Sequence, residues 1–417
     1  MRLITRLILG GEGLTLEQQF DLCVVGGGLV GLSVARAVAE EFSGVSILLV
    51  EKEDGVARHQ SSHNSGVVHS GLYYRPGSLK AQLCTEGRDA TYRLCDEAGI
   101  AHEKSGKLVI ATEQSQLPAL DELERRGTAN GLTGLRRIGP DEIAELEPAA
   151  IGIGALHVPE AGVADFPAIA AHHASTLQTG GAVISTGVAV TAIAHKGDGV
   201  KISTTAGEYS ARALVNCAGL HSDRVAAMAG IAPKVRIVPF RGEYYQLSSE
   251  AAPLVRHLIY PVPDPRFPFL GVHFTRRVDG AVEVGPNAIL GLGREHYRGA
   301  PADWTELRSI VAHPGFRRLA LRHWWSGTSE LLNSRSKRLY ARQAQRLVPE
   351  LRHEHLRPGG AGVRAQAVDT RGNLVDDFVI EIAGNTVHVL NAPSPGATAS
   401  IAIGRHISER VRPFLLA

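Results

Sequence analysis

Residues 20–53 read FDLCVVGGGLVGLSVARAVAEEFSGVSILLVEKE, and the order of elements in this stretch decides the fold. An apolar strand, Asp21–Val25, is followed by three glycines in the spacing G-x-G-x-x-G and then by a helix with regularly spaced apolar positions. A second apolar strand, Val45–Val50, ends in Glu51. This order predicts a Rossmann-like βαβ unit and therefore an α/β protein with a parallel sheet.

The glycines and the acidic residue indicate what this unit binds. Gly26 allows the tight turn, Gly28 lets a pyrophosphate approach the backbone, and Gly31 lets the helix pack closely on the strand. The helix N-terminus offers free N–H groups to the phosphates. Glu51 is placed to accept hydrogen bonds from ribose hydroxyls, and its charge disfavours a 2′-phosphate. The pattern predicts FAD or NAD rather than NADP.

Composition excludes several classes of protein. The chain has 417 residues and a net charge of +2, so no overall field favours nucleic acid. Its four cysteines form no CxxC pair, which predicts a reduced, cytoplasmic protein without a disulfide framework or a metal site. No apolar run approaches the ~20 residues that span a bilayer. Residues 1–17 are predicted to be a flexible leader.

Two later stretches favour FAD over NAD. Residues 180–223 contain strands and end in a small-residue turn, NCAG, which suits a second backbone approach to the same cofactor. Residues 391–404, NAPSPGATASIAIG, form a loop of small residues that leads into a helix. The N-terminus of that helix could stabilise negative charge on a reduced flavin ring.

The order of these motifs resembles the D-amino-acid oxidase and glycerol-3-phosphate dehydrogenase superfamily of FAD enzymes. Within it, SSHNSGVVHSGLYYRPGSLKAQLC (61–84), RGEYYQL (241–247) and GVRAQAVD (362–369) are similar to the L-2-hydroxyglutarate dehydrogenase family. The resemblance runs from about Asp21 to Gly404. It implies FAD as cofactor, oxidation of L-2-hydroxyglutarate to 2-oxoglutarate, and electron transfer to quinone or oxygen.

The resemblance also implies which residues contact FAD. They are Gly26, Gly28, Gly31, Glu51, Lys52, Ser61, Ser62, Asn64, Ser65, Gly66, Val190 (through its backbone), Ala218, Gly219, Pro395, Gly396, Ala397 and Thr398.

Candidate catalytic and substrate-binding residues follow from the chemistry of a 2-hydroxy acid. Its hydroxyl must give up a proton, and the resemblance implies His69 and His273 as candidate bases, each with a purely structural role as the alternative. Arg364 is implied to pair with the carboxylate next to the carbinol carbon. The other predicted substrate contacts are Tyr73, Tyr74, Arg75 and Tyr245.

A five-carbon diacid also needs a group for its distal carboxylate. The sequence leaves this choice open among Arg75, Lys80, Arg241, Arg294, Tyr73, Tyr74, Tyr244 and Tyr245. Because side chains alternate along a strand, at most one ring of the pair at 244–245 is expected to face the site.

Two other functions remain open at this stage. One is another activity of the superfamily, on glycerol 3-phosphate or an amino acid. Tyr73 disfavours the phosphate substrate, because glycerol-3-phosphate dehydrogenases carry an arginine at the matching position. The other is a flavin-binding sensor without turnover, which His69, His273 and Arg364 disfavour because a sensor needs no carboxylate clamp.

Residues 317–352 carry nine Arg or Lys against two acids, and Trp324 and Trp325 lie among them. The stretch is either a solvated helix face or a basic surface that contacts the cytoplasmic face of a membrane, where a quinone acceptor would lie.

The motifs predict a discontinuous FAD-binding domain and an inserted substrate domain with a mixed, largely antiparallel β-sheet. The first is expected at 18–100, 151–235 and 356–417, and the second at 101–150 and 236–355.

Overall fold

The computed structural model describes residues 5–8, 15–264, 271–297, 301–322 and 336–416, with side chains from Gln18 onward. The strands are β1 (Thr5–Ile8), β2 (Thr15–Val25), β3 (Ile47–Val50), β4 (Val67–Val68), β5 (His102–Glu103), β6 (Lys107–Ala111), β7 (Arg136–Ile138), β8 (Gly154–Val158), β9 (Gly162–Ala164), β10 (Val183–Ser185), β11 (Val190–Lys196), β12 (Gly199–Thr204), β13 (Gly207–Asn216), β14 (Val235–Leu247), β15 (Leu258–Pro261), β16 (His273–Arg276), β17 (Val282–Gly285), β18 (Ile289–Leu290), β19 (Leu356–Asp369), β20 (Val379–Ala383) and β21 (Thr386–Asn391).

The α-helices are α1 (Leu29–Glu41), α2 (Leu79–Ala98), α3 (Leu117–Ala129), α4 (Pro140–Leu146), α5 (Phe166–Thr179), α6 (Ser222–Met228), α7 (Trp304–Ala312), α8 (Lys337–Ala344) and α9 (Ser400–Leu416), and residues 314–322 are also helical. Within the described residues, no helix combines the length and apolar composition that a bilayer crossing requires.

The chain divides into two compact units. The first comprises 1–62, 166–237 and 365–417, and the second comprises 63–165 and 238–364. Residues 63–100, 151–165 and 356–364, which the sequence assigned to the FAD-binding domain, fall in the second unit. The assignment of the two units as FAD-binding and substrate domains stays a prediction. In the structure, β4, β9 and β5 pair antiparallel in one small sheet, which ties 67–68 to 162–164 and 102–103.

The first unit contains the predicted parallel sheet. Its strand order is β10-β3-β2-β13-β12-β11, and β21 pairs with the last residues of β13, 214–216, beyond the stretch that pairs with β12. β10, β3, β2, β13 and β21 run parallel, whereas β11 and β12 return as an antiparallel excursion from β13. The buried strands are nearly continuous apolar runs, as expected for a sheet covered on both faces.

Two helices of the first unit lie close to each other because both carry small residues where they meet. A Cβ at Gly404 in α9 would collide with the backbone of Ser33 in α1. α9 begins directly after the small-residue loop at 391–399, so the predicted loop-to-helix order is confirmed.

At the other end of the chain, β1 pairs antiparallel with β2, which differs from the flexible leader predicted for 1–17.

The second unit is built on a mixed sheet of order β18-β14-β17-β16-β15-β6-β8-β7, and β19 pairs with β14. Only the β15–β6 pair is parallel among the registers described for this sheet. Residues 106–132 form a strand, β6, followed by the amphipathic helix α3.

Alternation along these strands gives the sheet two different faces. One face packs into an apolar cluster with α8 that includes Leu108, Ile110, Ile259, Phe274, Val284, Tyr340 and Ala344. The register pairs of Lys107 with Leu258 and of Ile259 with Phe274 place Lys107, Tyr260 and His273 on the opposite face. This second face is therefore the polar face of the sheet.

Candidate active site

His273 lies at the start of β16, on the polar face of the second-unit sheet. Its Nδ1 is 2.8 Å from the carbonyl oxygen of Gly271, which can only accept, so Nδ1 carries the hydrogen and Nε2 keeps its lone pair. The ring stacks on Tyr260 at 4.0 Å between centroids. Burial lowers the pKa of His273 to about 3, and the charges of Lys107 and Arg364 act in the same direction. His273 is therefore a neutral proton acceptor at physiological pH.

His69 follows β4, in a loop that α2 holds in place. The buried Cys84 thiol donates to the carbonyl oxygen of His69 at 3.4 Å, and Arg88 donates to that of Ser70 at 3.1 Å. Burial lowers the pKa of His69 well below its ordinary value, and four basic groups, Lys107, His273, Lys80 and Arg364, lower it further. These electrostatic interactions show that His69 and His273 belong to one cluster.

Arg364 lies on β19, next to β14, and forms a side-chain hydrogen bond with Tyr244. Its charge acts on His69, His273 and Tyr260. A guanidinium beside two neutral histidines is a suitable partner for a carboxylate, because it can bind both oxygens at once.

Lys107 belongs to this cluster although the sequence analysis did not select it. It is 1% exposed, and its ammonium lies 4.1 Å from the ring centroid of Tyr260 and 5.3 Å from that of Tyr73. Burial lowers the pKa of Lys107 to about 7. In the sequence, Lys107 is recognisable only as the charged residue at the start of an otherwise apolar strand, GKLVIA. That pattern alone does not predict that its side chain is buried.

The structure corrects the choice between the two tyrosines of β14. Tyr245 was the predicted substrate contact, but its ring packs edge-on against Tyr340 at 4.8 Å, beside the apolar cluster. The register of Tyr245 with Val284 sends it to the apolar face. Tyr244 points the other way and contacts Arg364. Tyr244 is therefore the ring of this pair that lies beside Arg364.

The three neighbouring candidates in the loop after His69 differ in position. Tyr73 is part of the cluster, because Lys107 lies over its ring, and its buried hydroxyl has no hydrogen-bond partner among the described residues. Tyr74 carries Lys80 above its ring at 4.8 Å. Arg75 is exposed, and it is not one of the charges that lower the pKa of His69 or His273.

The remaining cationic candidates for binding a distal carboxylate differ in their acidic partners. Arg241 is paired with Glu243 at 2.7 Å, and the buried Arg294 is paired with Glu306 at 2.9 Å. Both charges are thus already compensated. Lys80 is 7% exposed, and its charge acts on His69.

The glycine turn of the first unit fits a dinucleotide. Gly26 has φ +108°, and a Cβ there would lie 2.5 Å from the carbonyl oxygen of Cys217. A Cβ on Gly31 would collide with the carbonyl oxygen of Gly26, so the helix can pack this closely only with glycine at 31. At Gly28 a Cβ would meet only the hydroxyl of Ser61, at 3.1 Å. The backbone is therefore accessible where a pyrophosphate would approach.

Two polar side chains complete this turn. The Ser61 hydroxyl accepts from the amide of Leu29 at 2.9 Å, at the first residue of α1. Glu51 is 8% exposed, and its carboxylate accepts from the amides of Gly27 at 2.7 Å and Glu53 at 2.9 Å. These bonds fix the carboxylate at the end of β3, and its remaining lone pairs suit ribose hydroxyls.

The other predicted FAD contacts of the first unit lie around the same sheet end. Val190 begins β11, two residues after Val188, whose amide donates to the carbonyl oxygen of Glu51 at 2.9 Å. Ala218 and Gly219 follow β13, and the amide of Ala218 donates to the side chain of Asn216 at 3.1 Å.

Five further first-unit candidates have defined positions. Pro395, Gly396, Ala397 and Thr398 lie in the turn before α9, where the amide of Ala399 donates to Pro395 at 2.9 Å. Ser62 donates to the carbonyl oxygen of Ala57 at 2.6 Å.

Lys52 contacts acidic and histidine side chains, since it pairs with Glu53 and lies 3.1 Å from His59. Asn64, Ser65 and Gly66 fall in the second unit, where the Asn64 side chain accepts from the amide of Gly66 at 2.8 Å.

A dinucleotide-binding first unit and a basic, histidine-containing face in the second define a flavin- or nicotinamide-dependent oxidoreductase. The family model for FAD dependent oxidoreductases, DAO, matches residues 21–410. The chain therefore belongs to this family of FAD-dependent enzymes, and FAD is its cofactor.

Curated relatives match nearly the whole chain. The L-2-hydroxyglutarate dehydrogenase of Indibacter alkaliphilus is 45% identical, over 94% of this chain and 98% of its own length. That of Escherichia coli (strain K12) is 42% identical, over 95% and 94%. The mitochondrial L-2-hydroxyglutarate dehydrogenase of Homo sapiens is 41% identical, over 98% and 92%.

Solved structures share the fold. L-alpha-glycerophosphate oxidase from Mycoplasma pneumoniae with FAD bound superposes with a TM-score of 0.78 at 22% identity, covering 95% of each chain. Glycine oxidase from Geobacillus kaustophilus gives 0.71 at 19% identity, also covering 95% of each chain. These similarities confirm the predicted fold class.

Proposed function

We propose that this protein oxidises L-2-hydroxyglutarate to 2-oxoglutarate with FAD as the electron acceptor in the first half-reaction. The observation that carries the proposal is the cluster of the second unit, in which two histidines with lowered pKa values lie among cationic groups. The relatives at 40% identity or more bear the same activity in their names. A negatively charged hydroxy acid is the substrate class that such a cluster suits.

Each residue of the cluster has a task that follows from its geometry. Arg364 pairs with the carboxylate next to the carbinol carbon and fixes the orientation of that carbon. Nε2 of His273 accepts the hydroxyl proton, because Nδ1 is committed to Gly271 and the ring is neutral at pH 7. His69 lies close enough for its pKa to respond to His273, and its neutral ring adds no further charge beside the hydroxyl.

The first unit serves as the FAD-binding domain in this proposal, and the second as the substrate domain. When bound, FAD supplies the acceptor for the hydride that leaves the carbinol carbon. Gly26, Gly28 and the first turn of α1 would hold the pyrophosphate, and Glu51 would hold the ribose.

Anaerobic mixing with candidate donors tests this function. The flavin band near ~450 nm should bleach rapidly with L-2-hydroxyglutarate and remain with D-2-hydroxyglutarate, because the cofactor reports its own reduction. Glycerol 3-phosphate and glycine test the alternative activities of the superfamily. Faster bleaching with either compound would reject the assigned substrate while leaving the FAD-binding fold unaffected.

We also propose quinone as the acceptor in the second half-reaction, reached by peripheral contact with the cytoplasmic face of a membrane. Support comes from exposed apolar side chains beside basic ones: Trp304 is 69% exposed and Leu321 is 78% exposed, and Arg317, Arg318 and Arg322 are exposed nearby in sequence. Trp324 and Trp325, which the sequence analysis placed in this surface, lie outside the described residues.

Vesicle flotation tests the membrane contact. Binding to vesicles that contain anionic lipid, and its loss at high salt, are expected from the basic side chains. Equal recovery in the unbound fraction with anionic and neutral vesicles would contradict the proposal.

A further inference from the structure

Lys107 is the most unusual charged residue of the second unit. It is 1% exposed, and it forms no ion pair or hydrogen bond with any residue in the part of the chain that the structure describes. Buried ammonium groups are rare unless an anion compensates them. The two buried arginines behave differently: Arg294 has Glu306 at 2.9 Å, and Arg88 has Asp89 at 2.7 Å.

The surroundings of Lys107 hold the ammonium without neutralising it. The rings of Tyr260 and Tyr73 lie 4.1 and 5.3 Å away, and ring faces attract a cation. Glu283, a carboxylate on this sheet face, is paired with Arg277 at 3.2 Å. The chain thus positions the charge but leaves its anionic partner to be supplied from elsewhere.

The order of the strands places Lys107 and Arg364 on opposite sides of the candidate base. Arg364 comes from β19, next to β14, whereas Lys107 comes from β6, and β16 with His273 lies between them in the sheet. Both charges act on the ring of His273. A molecule whose reacting carbon lies at His273, with one carboxylate at Arg364, would therefore extend its other end toward Lys107.

We propose that Lys107 binds the distal carboxylate of the substrate and thereby determines the preference for a dicarboxylate over a monocarboxylic 2-hydroxy acid. This inference rests on the proposed function and adds the group that recognises the second carboxylate. Arg241 and Arg294 are excluded from this role by their acidic partners. Lys80, over the ring of Tyr74, is the nearest competitor.

Two substrates of equal chain length test the assignment. L-2-hydroxyvalerate has the same five carbons as L-2-hydroxyglutarate, with a methyl group in place of the distal carboxylate. Anaerobic stopped-flow reduction gives Kd and the limiting rate for each acid with FAD-bound wild type, Lys107→Met and the control Lys104→Met. The control suits this purpose because Lys104 is exposed and also lies over a tyrosine ring, that of Tyr92, at 4.7 Å.

The expected result is a split between the two acids. Lys107→Met should raise Kd for L-2-hydroxyglutarate by about 10- to 100-fold, as for a lost hydrogen-bonded charge pair, and should leave L-2-hydroxyvalerate within about 3-fold. Lys104→Met should match the wild type. Equal losses for both acids, or no loss for either, would overturn the assignment. A split produced by Lys80→Met instead would move the role to that residue.

Two further readouts keep the outcome clear. Flavin content identifies folded variants, and Lys107→Gln replaces Lys107→Met if the latter holds no FAD. Wild type that is reduced by another donor but not by L-2-hydroxyglutarate would reject the proposed function, and this inference with it. Wild type that is reduced by L-2-hydroxyglutarate, with no split in the variants, would reject only the role of Lys107.

Discussion

Replacing Lys107 with methionine should stabilise the protein while it weakens substrate binding. Burial lowers the pKa of Lys107 from 10.5 to about 7, whereas in the unfolded chain the ammonium keeps its ordinary pKa. Between these values the unfolded state binds more protons than the folded state. The cost of burying the charge is therefore fully present below pH 7 and disappears above pH 10.5.

The magnitude follows from the same two pKa values. A change from 10.5 to about 7 corresponds to about 5 kcal/mol at acid pH, and to about 4 kcal/mol at pH 7, where the folded-state group is half protonated. Repacking around the different shape of methionine costs about 1–1.5 kcal/mol. Because methionine keeps most of the buried aliphatic volume, Lys107→Met should gain about 2–3 kcal/mol at pH 7.

Scanning calorimetry of the FAD-bound protein, without substrate or any dicarboxylate buffer, measures this gain. We expect a rise in Tm of about 3 °C at pH 7, because a chain of 417 residues shifts by about 1 °C per kcal/mol. At pH 10 the stabilisation should be less than about 1 kcal/mol. The exposed-site control Lys104→Met should remain within about 0.5 kcal/mol at both pH values. Destabilisation by Lys107→Met at pH 7, or a gain that does not change with pH, would refute the description of Lys107 as an uncompensated buried charge.

Three other predictions concern the cofactor, the base and the pH dependence of binding. Gly26→Ala should abolish FAD retention, because its Cβ would lie 2.5 Å from a carbonyl oxygen. The flavin absorbance of the purified protein measures this, and the control Gly139→Ala, whose Cβ has nothing within 4 Å, should retain FAD. His273→Asn should keep FAD but slow flavin reduction at saturating substrate by about 10²- to 10⁴-fold; the same loss in His69→Asn alone would assign the base to His69. Lys107 loses its proton above a pKa of about 7, so the Kd for L-2-hydroxyglutarate should be lowest below pH 7 and rise by up to tenfold per pH unit above it. Anaerobic titration measures this Kd, and a Kd that does not change with pH would contradict the prediction.

The dinucleotide half of the molecule could be predicted from the sequence because its signals are local. Gly26, Gly31 and Glu51 lie within one βαβ unit, and each is required by the backbone of that unit. The turn before α9 was predictable for the same reason, since proline, glycine and small residues precede a regular helix pattern.

The substrate half could be predicted only in part, because its geometry depends on pairing between distant strands. The sequence indicated that one ring at 244–245 faces the site, but the choice depends on the register of β14 with β17. Lys107 was missed because its burial results from β15 lying alongside β6 and from the ring of Tyr260. The ion pair of Arg241 could have been predicted locally, because Arg241 and Glu243 are two residues apart on a strand and therefore lie on the same face.

The proposed contacts divide into two kinds that should affect different kinetic constants. Arg364 and Lys107 would bind carboxylates whose charge is the same in substrate, transition state and product. Interactions of this kind lower Kd without accelerating the chemical step, so the loss of Lys107 should raise Kd and leave the limiting rate of flavin reduction nearly unchanged. The loss of Arg364, which also orients the carbinol carbon, should raise Kd and lower the limiting rate. Arg364 and Lys107 should also bind 2-oxoglutarate, which carries the same two carboxylates. Product inhibition should therefore weaken in the variants in which the Kd for the substrate rises.

His273 would contact the one polar group that changes during the reaction, the hydroxyl that loses its proton. Its loss should therefore lower the limiting rate more than it raises Kd. A variant of Lys107 that lowered only the limiting rate would contradict the binding role of Lys107. A variant of His273 that changed only Kd would contradict the role of His273 as the base. The preference for a dicarboxylate and the rate of its oxidation thus depend on different side chains of one sheet face, and each can be altered separately.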